Sequence, residues 1–525
     1  MESFTADERA RLAPYFSNVD GPVFALVDLP ETVKAAMFAR YSRYPGTLRR
    51  LFLDEFADTL PAGRGGGEDV EGARAAELFE RIFVGYGDDS VAQLGGAHLA
   101  VEWCSNVLTK VLQRPRIAGY LEQSTRYIAY DAPMPGGGYR YYREASLGAE
   151  YAASMDFLFD AYAEALPRVS AWVDESYPTS SGESEAARRR AVKAKALDLL
   201  RGLLPAASLS HMGIYASGQM YEQLILHLLA HPLPEARLCG QRMLEAVKSV
   251  IPSFVSRVER EGRGDVWVDY LSGRRTAERT WVQRLGLDRD EAAEERSSVR
   301  LVHVDGTEDQ LLAALLFEAA GVPEERTLAA VADLDSEARA AMLSDLVGER
   351  ANRRHRPGRG FEALRYRFEI VSDYGAFRDL QRHRMLTVQW QGLTPDLGAE
   401  VPEEVVAAGC GDLYERALDR SRAEYARLHE AGLTDAAPYA LCLGYRIRYV
   451  LDLNAREAMH LCELRSAREG HSSYRAVAQA MHTAIADVHP AVAATMKHVD
   501  HSTEPRLERI LAEIRGESRR AQLTA

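Results

Sequence analysis

The chain has 525 residues, 46% of them hydrophobic and 27% charged, enough apolar material for more than one full-sized core. A net charge of −13 argues against general attraction to nucleic acid, which rests on neutralising phosphates with Lys and Arg, so any anion site has to be local. No apolar run reaches the roughly 18 residues of a membrane span, and the opening MESFTADERARLAPYF lacks the basic-then-apolar order of a signal peptide, so no membrane contact and a cytoplasmic location are expected.

Taken in order, the elements come in pairs. The segment VFALVDLPETVKAAMFARYSR (23–43) reads as strand, turn and helix, and VRLVHVDGTEDQLLAALLFEA (299–319) repeats that pattern. Next come GAHLAVEWCSNVLTKVL and FEALRYRFEIVSDYGAFRDL, apolar and aromatic runs that lead into QRPRIAGYLEQSTRY (113–127) and QRHRMLTVQWQGLTP (381–395). A third pair, 217–254 and 454–492, shows long helical periodicity, interrupted once and closed at Pro252 and Pro490. Internal repetition of this kind indicates a duplicated module. The charged stretch GLDRDEAAEERSS has no apolar period and reads as a linker, giving modules at 1–285 and 299–525 joined by 286–298. Copy one is longer between its arginine stretch and its last helix; the extra length is expected near DESYPTSSGESEAARRRAVKAK (174–195), as a polar surface excursion. Five cysteines without a C-x-x-C pair are expected to be free thiols.

The two arginine stretches divide one motif between them. Copy two has Arg382-His383-Arg384 but runs out in Thr394-Pro395, whereas copy one has Pro115 between its arginines and ends Glu122-Gln123-Ser124-Thr125-Arg126-Tyr127. This resembles the flavin-dependent thymidylate synthases, whose signature is Arg-His-Arg followed by Ser-x-Arg-Tyr. The resemblance extends to a helix motif, Asn-x-Arg with a further Arg eleven residues after the Asn: Asn454, Arg456, His460 and Arg465 stand there in copy two, against Ser217, Gln219, Gln223 and Leu228 in copy one. It also covers an Arg-x-x-Leu-Pro motif, kept in copy one as Arg201 of RGLLP and without an arginine at the matching place, AAPYA, in copy two.

What the resemblance implies is an α+β fold of two tandem modules, each a small antiparallel sheet with helices, packed as a pseudo-dimer, and a homodimer of such chains. In that family each site is shared between subunits, and the residues kept here are complementary. One composite site survives; its counterpart would need Leu228 and Thr394 as arginines. The implied roles place Arg382, His383, Arg384, Asn454, Arg456 and His460 on FAD. Glu122, Gln123, Ser124, Thr125, Arg126, Arg201 and Arg382 would hold a nucleotide, and Arg465 would face the pyrimidine as the residue that stabilises charge developing on the ring. Guanidinium forks and short hydroxyls suit a phosphate dianion. The implied reaction is methylation of dUMP, or a related uridine nucleotide, at C5 to give dTMP, with methylenetetrahydrofolate as carbon donor and NADPH as reductant. The alternatives are one-carbon transfer to a modified pyrimidine nucleotide and a flavin- and nucleotide-binding protein without turnover.

Some positions depart from the family. Its folate-stacking histidine is replaced by Asp88 in GYGDDSVAQ and by Pro357 in RPGRGFE, and Gln389 and Trp390 alter the substrate motif of copy two. His471 lies two residues beyond a flavin-contacting histidine of the family, and Tyr127 reads equally as a core aromatic. NRRHRPGR (352–359) reads as a phosphate-facing loop or an exposed charge cluster, and His498, Asp500 and His501 form too thin a set to assign a metal.

Overall fold

The computed structural model describes residues 3–60, 75, 79, 91–179, 181–287, 296–503 and 507–524. The chain forms two compact units that do not follow the repeat: Met1–Cys104, Val111–Gln123 and Ser210–Asp290 make the first, and Ser105–Lys110, Ser124–Leu209 and Glu291–Ala525 the second. The expected linker lies mostly outside the described residues, as does Asp88. The architecture is α+β, with a small sheet and surrounding helices in each unit.

In the first unit the strands β1 (Gly96–Ser105), β2 (Ala118–Glu122) and β3 (Leu209–Ser217) lie in the order β1-β3-β2. β2 runs antiparallel to β3, from Ala118 opposite Ala216 to Glu122 opposite Met212. The Ser217 hydroxyl accepts from Met220 N and starts the helix Gly218–Leu229, whose Tyr221, Leu224, Ile225 and Leu228 are buried at helical spacing. The helix Pro234–Lys248 follows, and Pro252 opens another at its first turn, where a missing N–H costs nothing.

The strand expected at 23–27 is absent; Leu26 makes only a single bridge with Phe16 before the helix Glu31–Tyr41. Pro22 cannot donate to a ladder, Asp28 turns the chain with φ of 51°, and Val23 is exposed, so the run is too short and too bare to hold a sheet edge.

The second unit has a four-stranded antiparallel sheet in the order β4-β5-β7-β6, with β4 Ser298–Asp305, β5 Arg365–Asp373, β6 Thr387–Trp390 and β7 Arg446–Asn454. Tyr366, Phe368 and Ile370 of β5 alternate onto the buried face. Copy-one residues contribute two long helices here, α1 (Gly148–Ser176) and α2 (Glu185–Leu200), which pack together and, through α1, on α4 (Gly411–Glu430). Much of the segment read as a surface excursion is thus α2, with Ala187, Ala191, Val192 and Lys195 buried. The charge it does bury is paired, Lys195 meeting Glu508 at 2.7 Å, while Glu185, Arg189 and Lys193 stay in solvent.

Two short-chain caps launch the helices that matter most. Asp373, at the end of β5, accepts from Ala376 N at 2.8 Å and starts α3 (Tyr374–Leu380). Asn454, at the end of β7, accepts from Glu457 N at 2.9 Å and starts α5 (Ala455–Arg465), which is followed by α6 (Ser472–Val488).

Candidate functional site

The second unit brings the retained residues of both copies together. In the Arg-His-Arg stretch that follows α3 the side chains alternate: His383 is buried, while Arg382 and Arg384 are exposed. His383 Nδ1 lies 2.8 Å from Glu457 Oε1, and its Nε2 lies 3.0 Å from Arg465 Nε. An arginine N–H only donates, so Nε2 is the acceptor and Nδ1 carries the hydrogen given to Glu457. Burial pushes the His383 imidazolium down to about 4, with Arg465 adding to the effect against the pull of Glu457. Burial would raise the Glu457 carboxyl, but hydrogen bonds from His383 and His460 bring it to about 2. The result at neutral pH is an ionised Glu457 bound to a neutral His383.

His460 Nδ1 lies 3.3 Å from the same carboxylate, so one side chain orients both imidazoles. Arg456 Nε donates to the Pro357 carbonyl at 3.0 Å and its Nη1 lies 3.6 Å from Glu362. The alternate position of the missing folate-side histidine is therefore a backbone acceptor for an arginine of α5.

Arg465 ends α5 and stands 5.6 Å from the centre of the Tyr474 ring, with Arg126 5.9 Å from the same ring. Arg126 pairs in a fork with Asp198 at 2.6 and 2.5 Å and donates to Tyr474 Oη at 3.0 Å. Burial would lift the Asp198 carboxyl, but the Arg126 guanidinium outweighs it and holds the group low. Ser124 Oγ accepts from Arg126 N at 3.2 Å, shaping the turn that delivers this arginine, and Thr125 is buried. Tyr127 is exposed, with the Arg509 guanidinium 4.0 Å over its ring. Glu122 and Gln123 belong to the first unit, where Glu122 accepts from Gln113 at 2.9 Å and Gln123 N donates to His211 O at 2.9 Å.

Arg201, just beyond α2, reaches Asp379 of α3 at 3.2 Å and Asp373 at 3.5 Å. A methyl at Gly375 would sit 2.8 Å from Arg201 Nε, so glycine is needed for this close approach to α3. Burial would raise Asp379, yet the guanidiniums of Arg382, Arg201, Arg465 and Arg126 hold its carboxyl far below the usual range. Asp379 therefore lies within the field of four arginines drawn from both copies.

Arg201, Asp198, Asp373, Arg446 and His471 also line a cavity of about 670 Å³, in the size range of small-molecule sites. His471 Nε2 donates to Asp198 O at 3.1 Å and its Nδ1 accepts from Ser473 N at 3.1 Å, and burial keeps it neutral down to about 4.

Sequence reading passed over Asp198, Asp373, Asp379, Glu457 and Tyr474. The spacing carried a signal: Asp198 precedes Arg201, and Asp379 precedes Arg382, by three residues, while Glu457 follows the capping Asn454 by three. His383, Glu457 and His460 also offer ligand atoms within 4.8 Å of one another, the one such group among the described residues, and mutual hydrogen bonding accounts for their geometry. His498 and His501 are engaged separately, with Arg350 O at 3.2 Å and with His482 at 3.1 Å.

Comparison with known proteins follows the same division. The family model described as "Thymidylate synthase complementing protein" matches residues 31–253 and again 312–491. A "UPF0159 protein" of Chlamydia muridarum is 37% identical over 98% of this chain and 98% of its own length. A "Flavin-dependent thymidylate synthase" of Pyrococcus furiosus is 38% identical over 71 residues, 11% of this chain and 29% of its own. A solved UMP/dUMP methylase from Streptomyces cacaoi aligns over 39% of this chain and 96% of its own, at 20% identity and a TM-score of 0.32.

Proposed function

Because the chain belongs to the thymidylate synthase complementing protein family, as two consecutive copies, we propose that it is a flavin-dependent enzyme transferring one carbon to C5 of a uracil ring carried by a nucleotide or nucleoside. A single site would serve, assembled from Arg126 and Arg201 of copy one and His383, Arg465 and the helix α5 of copy two. The observation that carries this reading is the meeting of Arg126 and Arg465 on Tyr474, because these are the arginines that each copy retains and the other lacks.

FAD fits the donor set. The exposed guanidiniums of Arg382 and Arg384 suit its phosphates, and His460, Asn454 and Arg456 on one helix suit its ring and ribityl groups. When bound, it would supply the redox equivalents for reducing the transferred carbon, with NADPH as the reductant and methylenetetrahydrofolate as the simplest donor. The chain's own part is positional and electrostatic. His383, neutral and fixed by Glu457, takes the Nε hydrogen of Arg465 and leaves the two terminal nitrogens of that guanidinium for the uracil N3/O2 edge, where charge develops as C5 reacts. The test is incubation of the FAD-loaded chain with methylenetetrahydrofolate, NADPH and either dUMP or deoxyuridine, followed by mass analysis. A gain of one methyl on the pyrimidine supports the reading; an unaltered pyrimidine with every donor tried would refute it.

A further inference from the structure

Tyr474, in the first turn of α6, is 5% exposed and lies where the retained arginines of both copies converge. A methyl at Gly470 would sit 2.8 Å from its Cε2, so the turn between α5 and α6 needs glycine for the ring to lie there. Tyr474 Oη accepts from Arg126 Nη1 at 3.0 Å. The phenol also carries a hydrogen of its own, and among the described residues no acceptor meets it.

Arg126 has a matching free hydrogen. Its Nε and one Nη2 hydrogen go to Asp198, the other Nη2 hydrogen goes to Glu469 O at 3.2 Å, and one Nη1 hydrogen goes to Tyr474. The second Nη1 hydrogen is left beside the hydroxyl. Arg201 Nη2 is a third such donor: it is buried, 3.5 Å from Asp373 Oδ1, and makes no hydrogen bond. Buried donors without acceptors are costly, and a ligand rich in acceptor oxygens satisfies them. Charge points the same way. Asp379 lies in the field of four guanidiniums, those of Arg382, Arg201, Arg465 and Arg126, and the other carboxylates paired with them are Asp198 and Asp373. A phosphate monoester brings about −1.5 to −2 at pH 7 and three acceptor oxygens to such a place.

Resting on the proposed uracil chemistry, we propose that Tyr474 binds the phosphate of the uridine nucleotide, giving its hydroxyl hydrogen to a phosphate oxygen alongside the free Nη1 hydrogen of Arg126. One oxygen then serves twice, accepting from Arg126 to fix the guanidinium and donating to the ligand. A bond from a neutral hydroxyl to a charged oxygen is strong, and it adds no further positive charge beside Arg126 and Arg465.

The test uses the FAD-loaded full chain and calorimetric titration with dUMP, with deoxyuridine measured by competition against it, in the wild type and in Tyr474→Phe. Phenylalanine keeps the ring and removes the hydroxyl, while Arg126 retains its fork to Asp198 and its bond to Glu469 O. The expected result is a tenfold or greater loss of dUMP affinity in Tyr474→Phe, with less than a threefold change for deoxyuridine and the flavin content unchanged. An unaltered dUMP affinity, an equal loss for both ligands or a loss of flavin would overturn the proposal while leaving the uracil reading intact. If neither compound binds the wild type, the uracil reading itself fails, and this inference with it.

Discussion

Replacing Arg126 by Met removes one guanidinium and strands a carboxylate. Asp198 has 8% of its side chain exposed and takes both hydrogen bonds of the fork from Arg126, at 2.6 and 2.5 Å. Breaking a buried pair from one side costs about 3–5 kcal/mol, because the remaining charge keeps its desolvation penalty without the attraction that offset it. The effect depends on pH in a definite direction. In the wild type, Arg126 holds Asp198 below its unfolded value, so the pair's contribution is full above about pH 4 and is lost as pH falls through the lowered folded value. In Arg126→Met, burial acts unopposed by that guanidinium and raises Asp198, so acid relieves the variant. The deficit between wild type and variant should be largest near pH 7 and shrink as pH falls, first through the raised value of Asp198 in the variant and then through its lowered value in the wild type. Urea unfolding followed by a probe in the second unit measures it, and Arg126→Met combined with Asp198→Leu should cost less than Arg126→Met alone. A deficit under about 1 kcal/mol at pH 7, the range of exposed pairs, or one that does not change with pH, would refute the reasoning.

Arg465→Lys should retain FAD but lose at least tenfold in turnover, since one ammonium cannot both donate to His383 Nε2 and present a planar pair to the ring; unchanged turnover removes Arg465 from the chemistry. His383 should stay neutral by nitrogen NMR from pH 8 down to about 5, with its hydrogen on Nδ1, and titration near 6.5 would contradict its burial. Its unfolded form takes a proton near 6.5 and its folded form near 4, so this residue makes stability fall as pH is lowered through that interval, measurable as a smaller loss in His383→Gln.

The duplication was legible because residue identity at fixed spacing survives where sheet geometry does not. Arg382-His383-Arg384, Asn454 and Arg465 were picked out by their resemblance to the family's motifs, whereas the caps that Asp373 and Asn454 make, where short polar side chains compete for helix N–H groups, came only from the structure. What sequence concealed was charge pairing across long separations. Asp198 reads as one more charge on a polar helix until α2 packs down and puts it against Arg126, 72 positions away. The same packing hid the role of 174–195, whose composition is that of a loop but whose alanines at helical spacing face a core. Tyr474 had no motif to mark it; it matters because both arginines converge on its ring. The absent strand at 23–27 shows the opposite case, where an apolar run satisfied the pattern but had no room between Pro22 and the turn at Asp28 to form a ladder.

The most direct measurement of the account is the number of flavins held by the intact chain. Copy two supplies Asn454 at the cap of α5 and Arg456 and His460 on it, whereas copy one has Ser217, Gln219 and Gln223 at the matching places, so the proposed function calls for one cofactor site per chain. Flavin absorbance against protein concentration, after saturation with FAD and removal of the excess, should give one FAD per chain. Two tightly held flavins per chain would contradict the single composite site.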